Sequence, residues 1–114
     1  MYITAEFFHI EKDEITLPDG RTCARETVVH GGAAAMIPID ENGKIIFVRQ
    51  YRHSARTETL ELPAGTLEKG EDPLVCATRE LEEETSYKSN DFTFLFKMYS
   101  AIGFCSENII YLSC

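Results

Sequence analysis

The sequence predicts an α+β domain in which a mixed β-sheet surrounds one central helix. Three observations carry that expectation. Short runs of apolar and β-branched residues, bounded by Pro, Gly, Asn and Asp, recur on both sides of a single stretch with helical periodicity. The run from Ala33 to Ile39 is small and apolar throughout, as in a strand buried on both faces. A chain of 114 residues holds one domain with a modest core, and nothing in its length calls for a second.

Taken in order, Phe7 to Ile10 and Glu14 to Leu17 read as short strands, and Pro18-Asp19-Gly20 as a turn, because proline presets φ and glycine accepts a positive φ. Thr22 to His30 alternates as a returning strand, which Gly31-Gly32 breaks. Ala33 to Ile39 and Lys44 to Tyr51 then read as a hairpin around Glu41-Asn42-Gly43. His53 to Glu58 is polar and loop-like, and Thr59 to Leu62 is a short strand leading into Pro63-Ala64-Gly65. Beyond the helix, Ser89-Asn90-Asp91 separates it from a strand at Phe92 to Tyr99. A loop from Ile102 to Glu107 precedes the last strand, Ile109 to Leu112. The adjacent aromatics Phe7 and Phe8 are read as core or interface rather than as a stacking platform.

The chain concentrates its chemistry between Gly65 and Tyr87, where seven acidic residues fall in twenty-three positions. Asp72 suits an N-cap and Pro73 the first helical turn. Leu74, Ala77, Thr78, Leu81 and Thr85 then share one broad face. At about 100° per residue, Glu80 and Glu84 lie almost in line and Glu83 about 60° to one side, whereas Glu82 points elsewhere. Like charges at that spacing repel, so the trio wants a cation, and oxygen ligands suit Mg²⁺ or Mn²⁺. Three glutamates alone would equally fit a solvated acidic helix in an acidic protein.

The surrounding pattern resembles the Nudix box, G-x5-E-x7-R-E-U-x-E-E-x-G-U, where U is a bulky aliphatic residue. Gly65, Glu71, Arg79, Glu80, Leu81, Glu83 and Glu84 stand at its positions with its spacing. Ser86 replaces its glycine and Tyr87 its last aliphatic residue. Glycine there serves a left-handed helix C-cap, which costs serine about 1 kcal/mol. The chain is also similar to the ADP-ribose pyrophosphatase branch of that family, through Gln50-Tyr51-Arg52, Glu61-Leu62-Pro63-Ala64-Gly65 and the segment Ala101 to Glu107.

That resemblance implies an α/β/α sandwich around a mixed sheet and Mg²⁺-dependent hydrolysis of a nucleoside diphosphate linked to another group, ADP-ribose above all. It assigns metal ligation to Glu80, Glu84 and the carbonyl of Ala64, with Glu83 as a further ligand, and catalytic roles to Glu83, Glu84 and Arg79. Arg52 becomes a diphosphate ligand, Arg25 a phosphate contact across a dimer interface, and Glu107 and Glu61 substrate-side carboxylates. Residues 1–114 are expected to form a single domain, with residues 1–30 as N-terminal strands and a dimerisation region and residues 31–114 as the core of a homodimer subunit. Members of the branch continue past the position matching Leu112 with a strand, a loop and a closing helix. An uncovered sheet edge is therefore expected here, and a catalytically weak nucleotide-binding or dimerising module, or a pyrophosphatase for another nucleotide, stays open as an alternative.

A net charge of −8 disfavours nucleic acid or an anionic membrane as partner, though arginines or bound cations invert the field locally. Cys23, Cys76, Cys105 and Cys114 show no metal-site spacing and, with no secretory signal before them, read as free thiols in a cytoplasmic protein. They, with His30 and His53, are assigned to structure or surface.

Overall fold

A computed structural model describes residues 5–114. The chain runs β1 (Phe8–Thr16), β2 (Thr22–His30), β3 (Ala33–Ile37), β4 (Val48–Arg52), β5 (Thr57–Glu61), β6 (Ala64–Thr66), α1 (Pro73–Thr85), β7 (Thr93–Tyr99) and β8 (Asn108–Ser113). The central sheet has the order β6-β3-β8-β7, with β3 parallel to β8 and antiparallel to β6. A mixed sheet with one helix is the α+β arrangement expected.

The core is small. Ala34, Met36, Cys76, Ala77, Leu81 and Leu112 form its cluster, joining α1 to β3 and β8. Three consecutive alanines in β3 keep that strand thin, so the helix approaches it closely and Ala77 is wholly buried. Cys76 takes the buried place expected of Leu74, which is half exposed. The helix thus lies rotated toward the small side chain, which fits beneath the β6 backbone where a leucine would not. The Cys76 thiol lies 3.6 Å from the Gly65 carbonyl oxygen, and desolvation pushes its pKa up to about 11.

The two N-terminal strands expected are one. β1 runs unbroken and pairs with β2 residue for residue from Phe8 opposite His30 to Thr16 opposite Thr22. The polar residues between the apolar runs alternate across a hairpin that faces solvent on both sides, so nothing interrupts it. Phe7 and Phe8 are exposed rather than core. The arm projects, giving extents of 58 × 31 × 22 Å and a radius of gyration of 17.3 Å, against about 13 Å for a compact domain of similar length.

The hairpin expected between residues 33–39 and 44–51 is also replaced. Pro38 ends β3, and the hairpin is reduced to the Ile39–Ile45 bridge, with the Asp40 N–H donating to the Lys44 carbonyl and the Ile46 N–H to the Pro38 carbonyl, both at 2.9 Å. β4 turns instead to β5, with Arg52 opposite Thr57 and Val48 opposite Glu61. The segment 53–58, expected as loop, supplies the turn and the first residues of β5.

Candidate active site

The helix is locked at both ends. Asp72 accepts the Leu74 N–H at 2.8 Å, Pro73 occupies the first turn, and Ser86 closes the C-terminus in the left-handed region at φ 64°, its N–H donating to the Glu82 carbonyl at 2.9 Å. Serine therefore adopts the strained cap that the sequence pattern assigns to glycine. Leu81 anchors the buried face, which turns Arg79, Glu80 and Glu84 toward β6.

Arg79 organises the acidic cluster. Its Nη2 donates to Glu71 Oε1 at 2.9 Å, its Nη1 donates to Glu80 Oε1 at 2.8 Å, and Glu83 Oε2 lies 3.6 Å from the same Nη1. The guanidinium holds the Glu71 carboxyl below its usual range, while the two carboxylates raise the pKa of Arg79. Glu80 lies flat over Gly65, where a β-carbon would stand 2.2 Å from the Glu80 Cδ. That glycine is needed for the space it leaves. Glu84 accepts the Ala64 N–H at 3.1 Å, and its pKa is raised, chiefly by desolvation and further by the neighbouring Glu80 charge.

Across the cavity Arg52 makes a two-pronged bond to Glu61, both contacts at 2.8 Å, and the Thr59 hydroxyl also bonds that carboxylate. These donors hold the Glu61 pKa down at about 2. Glu61, expected to face substrate, is thus engaged by Arg52. Arg52, Glu61, Ala64, Arg79, Glu80, Glu84 and Glu107 all line one open cavity of about 1510 Å³. Glu83 and Arg25 do not line it. Glu83 is exposed beside Arg79, and Arg25 lies on the arm, donating to Cys23 Sγ at 2.9 Å.

Sequence reasoning missed His30. Its Nδ1 lies 3.3 Å from Glu107 Oε2 and 3.0 Å from the Gly32 N. No spacing rule links positions so far apart in the chain; the contact exists because the loop before β8 folds back onto the end of β2.

The donor chemistry suits a hard divalent cation. Glu80 and Glu84 bring two carboxylates to one wall beside Ala64, where desolvation and then the Glu80 charge raise the Glu84 pKa. Among the described residues no three His, Cys, Asp or Glu side chains are drawn close enough to enclose an ion. Glu80 is turned to Arg79 and Glu84 to a backbone N–H. Among the described residues no helix is long and apolar enough to cross a membrane.

Residues 29–110 match the family model described as NUDIX domain. The chain is 47% identical over 100 residues to the methanol dehydrogenase activator of Bacillus methanolicus, covering 88% of this chain and 54% of that protein. It is 43% identical over 95 residues to the ADP-ribose pyrophosphatase of Bacillus subtilis, covering 83% and 51% respectively. The chain therefore spans about half the length of these relatives. A crystal structure of an ADP compounds hydrolase superposes with a TM-score of 0.83 at 24% identity, over 98% of this chain and 61% of that one, and shares the fold. With its glutamates and arginine in register on α1 and its sequence matched from the end of β2 to β8, the chain belongs to the NUDIX domain family.

Proposed function

We propose that this chain hydrolyses a nucleoside diphosphate linked to a second group, with ADP-ribose giving AMP and ribose 5-phosphate, in the presence of Mg²⁺ or Mn²⁺. The observation that carries the reading is the meeting of Glu80, Glu84 and Arg52 around one cavity large enough for a dinucleotide-sized ligand. Two relatives named ADP-ribose pyrophosphatase, at 43% and 38% identity, support the choice of substrate.

Glu80, Glu84 and the carbonyl of Ala64 would hold the cation, with Glu83 beside them on the exposed side of Arg79. A divalent ion there supplies charge neutralisation and Lewis acidity to the diphosphate. Arg52 contributes a fixed fork that matches phosphate oxygens in two places. In the reaction the oxygen of a water forms a bond to phosphorus, the bond from that phosphorus to the bridging oxygen breaks, and the water's proton passes to a carboxylate. Glu84, or Glu83 once turned toward the cavity, serves as that acceptor. Arg79 keeps Glu80 oriented through its Nη1 bond.

A second reading, a dimerising module with weak catalysis, is favoured by the surface. Among the described residues, nineteen large hydrophobic side chains are exposed against eight buried apolar residues. The accessible area of 8310 Å² exceeds by about 2000 Å² the value of about 6300 Å² typical of a monomer of 12.9 kDa. An excess of that size suits a homodimer interface, and the arm of residues 8–30 is the part that would bring Arg25 to a partner's cavity.

The deciding experiment is AMP release from ADP-ribose by the 114-residue chain, with and without Mg²⁺, beside Glu84→Gln. Metal-dependent release that falls by about 10²-fold or more in the variant supports the hydrolase. No release from folded protein, together with a dimer by light scattering, favours the module.

A further inference from the structure

The cavity's far wall is held by a contact outside the α1 cluster. The Val28 N–H donates to the Phe104 carbonyl at 2.7 Å and the Ser106 N–H to the Val28 carbonyl at 2.9 Å, so the loop before β8 is stapled to the end of β2. Ser106 Oγ accepts the His30 N–H at 3.0 Å and lies 3.5 Å from the His30 carbonyl oxygen. These bonds fix the backbone on both sides of the pair. The His30 and Glu107 side chains then meet with only 14% and 23% of their surfaces exposed.

The Nδ1 atom of His30 faces two groups with opposite demands. The Gly32 N–H at 3.0 Å can only donate, and the ionised Glu107 carboxylate at 3.3 Å can only accept. A bare Nδ1 accepts from Gly32 and sets a lone pair against the carboxylate. A protonated Nδ1 donates to Glu107 and releases Gly32. The position of the Glu107 carboxylate is thus tied to where the imidazole carries its proton.

We propose that His30 is a positioning residue: its Nδ1 accepts from Gly32 in the structure, and when that nitrogen carries a proton it donates to Glu107 instead and holds the carboxylate in the cavity it shares with Arg52 and Glu84. Glu107 there presents an acceptor to a hydroxyl of the ribose or to the attacking water. This inference rests on the reading of the cavity as a nucleoside diphosphate site. It also joins the projecting arm to the reacting end of the molecule, since His30 is the last residue of β2 and pairs with Phe8 of β1.

The test is a cycle of His30→Ala, Glu107→Gln and the double variant, assayed for kcat and KM on ADP-ribose with Mg²⁺, with His30→Asn as the conservative control. Asparagine places an amide nitrogen where Nδ1 stands, so it can donate to Glu107 without titrating. His30→Ala is expected to lower kcat/KM about tenfold, to add nothing in the Glu107→Gln background, and to be largely rescued in His30→Asn. Full multiplication of the two losses, or no rescue, would overturn the proposal. The ¹⁵N resonance of His30 Nδ1, followed in the parent and in Glu107→Gln, reads the contact without turnover. A shift supports it, and an unmoved resonance sinks it. A parent chain that releases no AMP while that resonance shifts places the failure in the assigned reaction, not in the His30 contact.

Discussion

The helix face of α1 and the β1–β2 arm are both regular, fully hydrogen-bonded elements, yet one builds a core and a site while the other lies in solvent. In α1 the side chains of Cys76, Ala77 and Leu81 disappear beneath β3 and β6. In β1 every residue is exposed, Phe8, Ile10 and Ile15 included. The difference is a third layer. A two-stranded ribbon satisfies its backbone bonds by itself but buries nothing until another element covers one face. The thin alanine strand of β3 supplies that cover for the helix, whereas over the arm the loop before β8 meets just the end of β2 around Val28.

Substitutions that treat the two regions alike should sharpen the contrast. Leu81→Ala is expected to destabilise the chain by about 2–5 kcal/mol, because a wholly buried side chain leaves a cavity. Ile15→Ala in the arm should cost less than about 1 kcal/mol, its side chain being 37% exposed already. Paired urea titrations measure both. Equal losses would mean that the arm is covered in solution and that the contrast belongs to the isolated chain alone.

Gly65→Ala separates site from core within the helix region itself. The new methyl group would collide with the Glu80 side chain, whose Cγ and Cδ both lie 2.2 Å from the added carbon, and not with backbone. Hydrolysis of ADP-ribose should fall by about 10²-fold as Glu80 is displaced, while the melting temperature moves little. A collapse of the melting temperature would place the glycine in the folding of β6 instead.

Smaller effects are expected at the helix end. Ser86→Gly should stabilise by about 0.5–1 kcal/mol, since the left-handed cap at φ 64° is free of strain for glycine. Thermal melts that fail to rise would show the cap to be held by something beyond its own backbone preference.

The smallest concerns Glu61. Its pKa is depressed to about 2 by Arg52 and Thr59, so the folded state binds its proton less tightly than the unfolded chain. Its contribution to stability is therefore complete above pH of about 4.5 and is lost as pH falls toward 2. The pair is partly exposed, so salt should weaken it. In acid-side denaturation, the advantage of the parent over Glu61→Gln should shrink only below pH of about 4.5. An advantage that vanishes near neutrality would contradict the Arg52 contact.

What the sequence determined by itself was local. Asp72 and Pro73 open the helix and Ser86 closes it, and a fixed spacing puts Glu80, Glu83 and Glu84 on one side of it. Those are consequences of helical geometry and capping, which act over a single turn. The strand Ala33–Ile37, the strand near Thr93–Tyr99 and the last strand near Asn108–Ser113 were legible for a similar reason, in their apolar runs between turn signals. Partnership was not. Ala33 to Ile39 and Lys44 to Tyr51 look like a hairpin because a turn joins them, but β3 pairs with β6 and β8 and β4 with β5. Pairing is decided by which edges remain open once the helix has closed on the sheet. Only the tertiary structure set Glu61 against Arg52 on the cavity wall, kept Arg25 on the arm away from this chain's cavity, and brought His30 to Glu107. Each of these contacts depends on the path of the folded backbone, which no residue spacing encodes.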